Sequence, residues 1–266
     1  MSRIPSLLAV LVTVALPPFP DPDLCAGAFV CRPGGGALLE QALPPISDLQ
    51  VPADLIDLGD WYLTLPTGEE GDPDDVYPPD LGAFDADAWF RLNDTRDGVV
   101  FRANAGGVTT ENSDYPRSEL REMRDGELAS WSNETGTHTM SLRQAVTRLP
   151  EVKPHVVTAQ IHGGDDDVVL VRLEGEELLA EYDDGDSSIV IDPAYELGTP
   201  YDLRITAADG RIEIFYNGDL AAEIPRSGSG WYFKTGAYVQ SNPERGDDPD
   251  AVAEVVLYSL EVEHSP

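Results

Sequence analysis

Three short stretches of the chain carry side chains suited to gripping a carboxylate and moving a proton. The first is Arg117-Ser118-Glu119-Leu120-Arg121. Side chains on a strand alternate faces with a period of two, so Arg117, Glu119 and Arg121 would share one face. Two guanidiniums around a carboxylate make a fork for binding further carboxylates; the same spacing also suits a surface ion-pair ladder. The second stretch is Gln160-Ile161-His162, where the amide and the imidazole share a face and Ile161 points into the core. The third is Tyr232-Phe233-Lys234-Thr235-Gly236-Ala237-Tyr238-Val239-Gln240. Here Tyr232, Lys234, Gly236, Tyr238 and Gln240 share a face, and Phe233, Ala237 and Val239 form the core side. Gly236 is expected to clear space for a closely approaching ligand.

Taken singly, each stretch could be structural: an ion-pair ladder, a core histidine, a half-buried edge strand. Taken jointly they offer Arg, Gln, His, Lys and Tyr with few competing acids. No nucleophilic triad is apparent. A paired-carboxylate glycosidase is hard to build from these faces, because Glu119 between two arginines stays ionised. The set suits removal of a proton α to a carboxylate.

The elements that must position these residues read as all-β. Trp61 to Leu65 is a strand ended by Pro66, and Gly98 to Arg102 is another. Val156–His162, Val168–Leu173, Tyr201–Thr206, Arg211–Tyr216 and Val252–Val262 follow. Asp209-Gly210 and Asn217-Gly218 are hairpin turns, so Tyr201 to Gly218 contains a hairpin. Helix signals are few, and many short strands at short spacing imply a sandwich or jelly roll.

Before this domain lies an export signal (approximately residues 1–28): Arg3, then the apolar run Leu7 to Leu16, too short for a membrane span of ~20 residues. Residues 29–50 are a Pro/Gly-rich linker and 51–266 the catalytic domain. The protein is therefore expected to be secreted and extracellular. Cys25 and Cys31 are the only cysteines. They would pair in a small loop unless cleavage after Ala28 removes one.

The formal net charge is −32, from 49 acidic against 17 basic residues, of which only Lys153 and Lys234 are lysines. Such a surface disfavours nucleic acid and anionic membranes, and a monomer is expected. The composition suits either a salt-adapted source or a GC-rich genome. The acidic runs Asp72 to Asp75, Asp165 to Asp167, Asp183 to Asp186 and Asp247 to Asp250 lack the spacing of a calcium loop and read as solvated loop charge. Asn93-Asp94-Thr95 and Asn133-Glu134-Thr135 match the glycosylation pattern.

The three stretches, in order, resemble the signature blocks of alginate lyases of polysaccharide lyase family 7, and Asp60-Trp61-Tyr62-Leu63-Thr64-Leu65-Pro66 resembles that domain's opening strand. The resemblance spans roughly Val51 to Glu263. Thr235, Asp60 and Tyr62 depart from commoner Ala, Asn and Lys. The resemblance implies a β-jelly roll of two curved antiparallel sheets with a groove on the concave one. It implies cleavage of alginate by β-elimination, with no organic cofactor and no catalytic metal. Arg117, Gln160, His162 and Tyr238 are then the expected catalytic residues, and Glu119, Arg121, Tyr232, Lys234 and Gln240 the expected substrate-binding ones. Ile161 at the centre of the second block goes, in that family, with guluronate-containing stretches. A lyase on another polyuronate such as glucuronan, or a non-catalytic carbohydrate-binding module, are the competing readings. Because a strongly acidic protein repels a polyanion, activity is expected to rise as salt is added at low ionic strength.

Overall fold

A computed structural model describes residues 48–164 and 166–266, with the backbone alone at Asp166. The expected export signal, most of the expected linker, Cys25 and Cys31 lie outside the described residues. Among the described residues seventeen strands form two antiparallel sheets. The first sheet contains β1 (Trp61–Glu69), β2 (Asp72–Val76), β5 (Arg117–Arg124), β9 (His155–Gly163), β10 (Asp166–Glu174), β11 (Glu177–Tyr182), β12 (Ser187–Asp192) and β16 (Ser229–Val239). Its order is β12-β11-β10-β9-β16-β5-β1-β2, with the short β6 (Glu127–Leu128) beside β5 and β7 (Trp131–Ser132) beside β16. The second sheet comprises β3 (Phe90–Leu92), β4 (Val99–Asn104), β8 (Thr137–Arg148), β13 (Tyr201–Ala208), β14 (Arg211–Tyr216), β15 (Asp219–Pro225) and β17 (Val252–Ser265). It runs β15-β14-β13-β8-β17-β4-β3. Helical structure among the described residues is confined to 3-10 turns such as Pro243–Arg245. This is the jelly-roll sandwich expected.

Period-two patterning builds the core. Leu63, Phe101, Leu120, Met140, Ile161, Leu203 and Phe233 are fully buried or within 1% of it, and each contributes about 1.5–3 kcal/mol by leaving water. Phe90 meets Phe101 edge-on at 5.1 Å. The hairpin expected at Asp209-Gly210 joins β13 to β14 with Ala208 paired to Arg211. Both turn residues have positive φ (51° and 71°), as a two-residue primed turn requires.

Two local expectations need correction. Pro66 does not end the first strand, which continues to Glu69. The β1–β5 pairing stops at Thr64↔Glu119, and β1 is irregular against β2 between Thr64 and Gly68, so no ladder donor is lost at Pro66. Nor is Gly236 open to a ligand. A Cβ there would lie 2.4 Å from the Ser118 carbonyl and 2.8 Å from the Glu119 Cα, with φ at +146°. The neighbouring strand β5 fills the space expected to be free.

Two acidic or sequon residues are also structural. Asp247 is buried and accepts from the Val152 and Lys153 amides (both 2.8 Å) and from Ser241 Oγ (2.6 Å), so it is no solvated loop charge. Asn133 is buried, its amide donating to the Arg211 and Arg226 carbonyls and accepting from Gly228 N. That occupancy leaves no access for a glycan.

Candidate active site

Strands β9, β16 and β5 are neighbours, and their registers bring the three sequence stretches onto one face. Tyr238 pairs with Arg117, Gly236 with Glu119 and Lys234 with Arg121 across β16–β5. Lys234 pairs with Gln160 and Tyr232 with His162 across β16–β9. The alternation read from sequence therefore survives in three dimensions.

The floor of the site is a buried polar cluster around Glu119, which is 1% exposed. Lys234 Nζ lies 2.5 Å from its Oε2 and Arg117 Nη1 at 3.4 Å, while the Gln160 amide donates to Oε1. Burial pushes the Glu119 carboxyl up, but Lys234 and Arg117 outweigh it and hold it below the usual carboxylate range. Burial draws Lys234 down to about 8, with Glu119 opposing. Glu119 and Gln160 are both buried in this floor, Gln160 fully. Its Oε1 has no hydrogen-bond partner, and neither has Nε of Arg117 or Arg121. Such unmet groups in a floor are ready to engage a ligand after small side-chain shifts.

Above the floor, each arginine stacks on a tyrosine. The Arg117 guanidinium lies 3.9 Å from the Tyr238 ring centre and Arg121 3.9 Å from that of Tyr232. Arg121 also donates to the Tyr62 hydroxyl (3.4 Å), and Tyr62 stacks on the exposed Tyr77 at 4.6 Å. These rings and cations form a continuous platform along β1, β5 and β16. Gln240 follows the end of β16, is largely buried, and its amide donates to the Val239 carbonyl at 3.4 Å. Among the described residues its hydrogen bonds, to Val239 and His155, do not reach the other site residues.

A cavity of about 430 Å³ opens on this face, with Asn112, Ser113, Arg117, His162, Asp167 and Tyr238 in its walls. Burial, with a further push from Lys234, lowers His162 to about 4, so its imidazole is neutral near pH 7. Its Nδ1 lies 2.9 Å from the Tyr232 hydroxyl and its Nε2 3.4 Å from Asp167. In the tautomer that donates from Nδ1 to the Tyr232 oxygen, the Nε2 lone pair, beside Asp167, can act as a base. The Tyr238 hydroxyl is 2.9 Å from Ser113 Oγ.

Two wall residues went unmarked in the sequence. Asp167 sits in an acidic run that looks like solvated loop, yet burial raises its carboxyl above the ordinary value beside His162. Ser113 belongs to a polar loop four residues before Arg117. Nothing in residue type or spacing distinguishes either; Ser113 is placed by where its loop returns and Asp167 by its pairing with His162 at the start of β10. Asp167 is the one carboxylate among the described residues lining the cavity, so the acid–base pair of a glycoside hydrolase is missing there. Among the described residues no cluster of three or more His, Cys, Asp or Glu could hold a metal ion.

A family model for alginate lyase matches residues 56–264. The chain belongs to the alginate lyases of polysaccharide lyase family 7. It is similar, at 48% identity and a TM-score of 0.79, to the family 7 alginate lyase AlgAT5, over 81% of this chain and 99% of that one. An alginate lyase from Corynebacterium sp. is 46% identical, with a TM-score of 0.78 over 81% and 99% of the two chains. A variant of the family 7 lyase A1-II′ in complex with product is 30% identical, with a TM-score of 0.70 over 82% and 100%. A search of curated proteins gave no match. As a polysaccharide lyase acting on alginate, the enzyme has a substrate whose carboxylates suit the cationic platform, and this reconciles its net charge of −32 with a polyanionic ligand.

Proposed function

We propose that this alginate lyase cleaves by β-elimination, with His162 as base and Tyr238 as acid, and favours guluronate-containing stretches. The observation that carries the reading is that a neutral imidazole, a phenol and a guanidinium line one cavity containing a single described carboxylate. Arg117 engages the carboxylate of the reacting uronate, so that the negative charge developing as C5 loses its proton meets a fixed cation. His162 Nε2 takes the C5 proton, the electron pair forms the C4=C5 bond, and the C4–O bond breaks. Tyr238 delivers its proton to the departing oxygen, with Ser113 holding the hydroxyl in place.

Guluronate preference is supported by two features. In guluronate the C5 proton and the leaving oxygen lie on opposite faces, which calls for two separate groups. His162 on β9 and Tyr238 on β16 both line the cavity, so a base and an acid on separate strands are available to one sugar unit. Ile161, the residue that accompanies guluronate activity in the family, is wholly buried, so any influence is exerted through the placement of Gln160 and His162. Gln160 acts from the floor, keeping Glu119 in register and offering its unpaired oxygen. The apolar leader supports export of the enzyme to where its polymer substrate occurs.

Ultraviolet absorbance of the conjugated product, followed separately on polyguluronate, polymannuronate and glucuronan, tests this. The fastest rise is expected on polyguluronate. A faster rise on polymannuronate would reverse the assigned preference, and one on glucuronan alone would replace the substrate.

A further inference from the structure

We infer that Tyr115, Lys153 and Arg245 form an additional anion subsite at the end of the groove, binding the carboxylate of a uronate unit beyond the one that reacts. This rests on the alginate reading above. The three residues come from segments far apart in sequence that arrive together. Tyr115 lies two residues before Arg117, just ahead of β5. Lys153 lies two residues before the start of β9. Arg245 closes the 3-10 turn that follows β16. Because β9, β16 and β5 are adjacent and antiparallel, all three lie at the same end of these strands, the end that carries Arg117 and Tyr238. Tyr115 sits in the bend that leads into β5, tied to Ser113, whose hydroxyl also meets Tyr238.

The cluster is cationic without an acidic partner. Lys153 Nζ donates to the Tyr115 hydroxyl at 3.1 Å and lies 4.7 Å from its ring centre. Arg245 is near enough for its charge to act on the same phenol. No ion pair within 4 Å involves Lys153 or Arg245 among the described residues. In a chain with 49 acids against 17 bases, two cations sharing one phenol and no carboxylate form a site that an anionic ligand completes. Burial opposes ionisation of Tyr115, but the two cations prevail and lower it, evidence that their charge is concentrated there.

The cluster is also held in place. Buried Asp247 fixes the backbone of Lys153 through the amides of Val152 and Lys153. Asn242 accepts from Arg245 N (3.1 Å) and donates to the Asp114 carbonyl (3.1 Å), tying the turn that bears Arg245 to the segment that bears Tyr115. Ser113 bonds the backbone of Tyr115 and the hydroxyl of Tyr238, so the subsite and the proton donor share one loop. Prior ordering of this kind lowers the entropy lost on binding.

The test compares binding with turnover. In the full chain, Lys153→Met with Arg245→Gln should raise KM for polyguluronate about tenfold and leave kcat within twofold. In the Tyr238→Phe background, the same pair should weaken calorimetric binding of a guluronate oligomer about tenfold and flatten its salt dependence. Arg204→Gln is the control for net charge. Arg204 lies on β13 of the other sheet, over Phe215 at 4.0 Å, and its loss should change neither quantity. A KM and binding constant within twofold of the parent, or an equal loss in the Arg204 variant, would overturn the subsite. A parent enzyme that binds through these residues but cleaves no alginate would instead sink the proposed function.

Discussion

Strand β5 carries two buried carboxylates three residues apart and therefore on opposite faces. Glu119 is 1% exposed and Glu122 is 2% exposed, yet their surroundings differ in kind. Glu119 looks toward the groove and is held by Lys234, Arg117 and the Gln160 amide. Glu122 looks between the sheets and is held by Trp131 Nε1 (3.0 Å), Phe233 N (2.8 Å) and His264 Nε2 (2.6 Å). Its chain of contacts continues from His264 Nδ1 to His138 Nδ1 (2.7 Å), and from His138 Nε2 to the Ser132 carbonyl (3.0 Å). The groove-side carboxylate thus organises the charges that meet substrate. The inner one stitches β5 to β17 and β8 of the opposite sheet, and supplies the ladder acceptor that Phe233 lacks where β5 leaves β16. Burial alone does not tell which job a carboxylate does; the charge of its donors does.

The comparison can be broken from either side. The largest effect belongs to the groove face: Tyr238→Phe should lower kcat by about 10³-fold with little change in KM, as loss of a general acid does. A variant of near-parental activity would remove the phenol from the chemistry. Next, Glu119→Gln should lower kcat/KM by about a hundredfold, because Lys234 and Arg117 lose the charge that aligns them. Its melting temperature should fall less than that of Glu122→Gln, since Lys234 can shed its proton. Glu122→Gln should cost about 3 kcal/mol of stability, or roughly 6–12 °C of melting temperature for a domain of this size. Its kcat should stay within twofold well below the transition. If Glu122→Gln lost activity without losing stability, the division of labour along β5 would be wrong.

The smallest effect concerns pH. As pH rises through about 8, Lys234 deprotonates and Glu119 keeps only Arg117 as a cationic partner, close to where substrate charge develops. The pH profile of kcat/KM should therefore fall on its alkaline side near that value. Lys234→Arg, which stays charged, should move the fall to higher pH. An unchanged limb in that variant would detach it from Lys234.

Much of the fold was legible because a period of two is a strong signal when one face is apolar. Val156–His162 and Arg211–Tyr216 fall on β9 and β14, with the expected faces inward. The site was legible where its residues lie on those same strands: Arg117, His162 and Tyr238 meet at one cavity as the alternation requires. Pro66 misled because the cost of a missing donor depends on the partner strand, which one segment does not reveal. Depth was equally hidden. Gln160 and Glu119 share the expected face, but only the Lys234 ion pair explains why they lie under it. Loop residues were the hardest. Ser113, Tyr115 and Arg245 act through where their segments return, and Asp247 looked like its exposed neighbours until the Val152–Lys153 backbone was seen against it.

The most direct test of elimination at this cavity is the mass of the products from a defined guluronate oligomer. The account predicts that the two product masses sum to that of the substrate, with no water added and one product unsaturated. A sum that exceeds the substrate by one water molecule would mean hydrolysis, and would contradict the roles given to His162 and Tyr238.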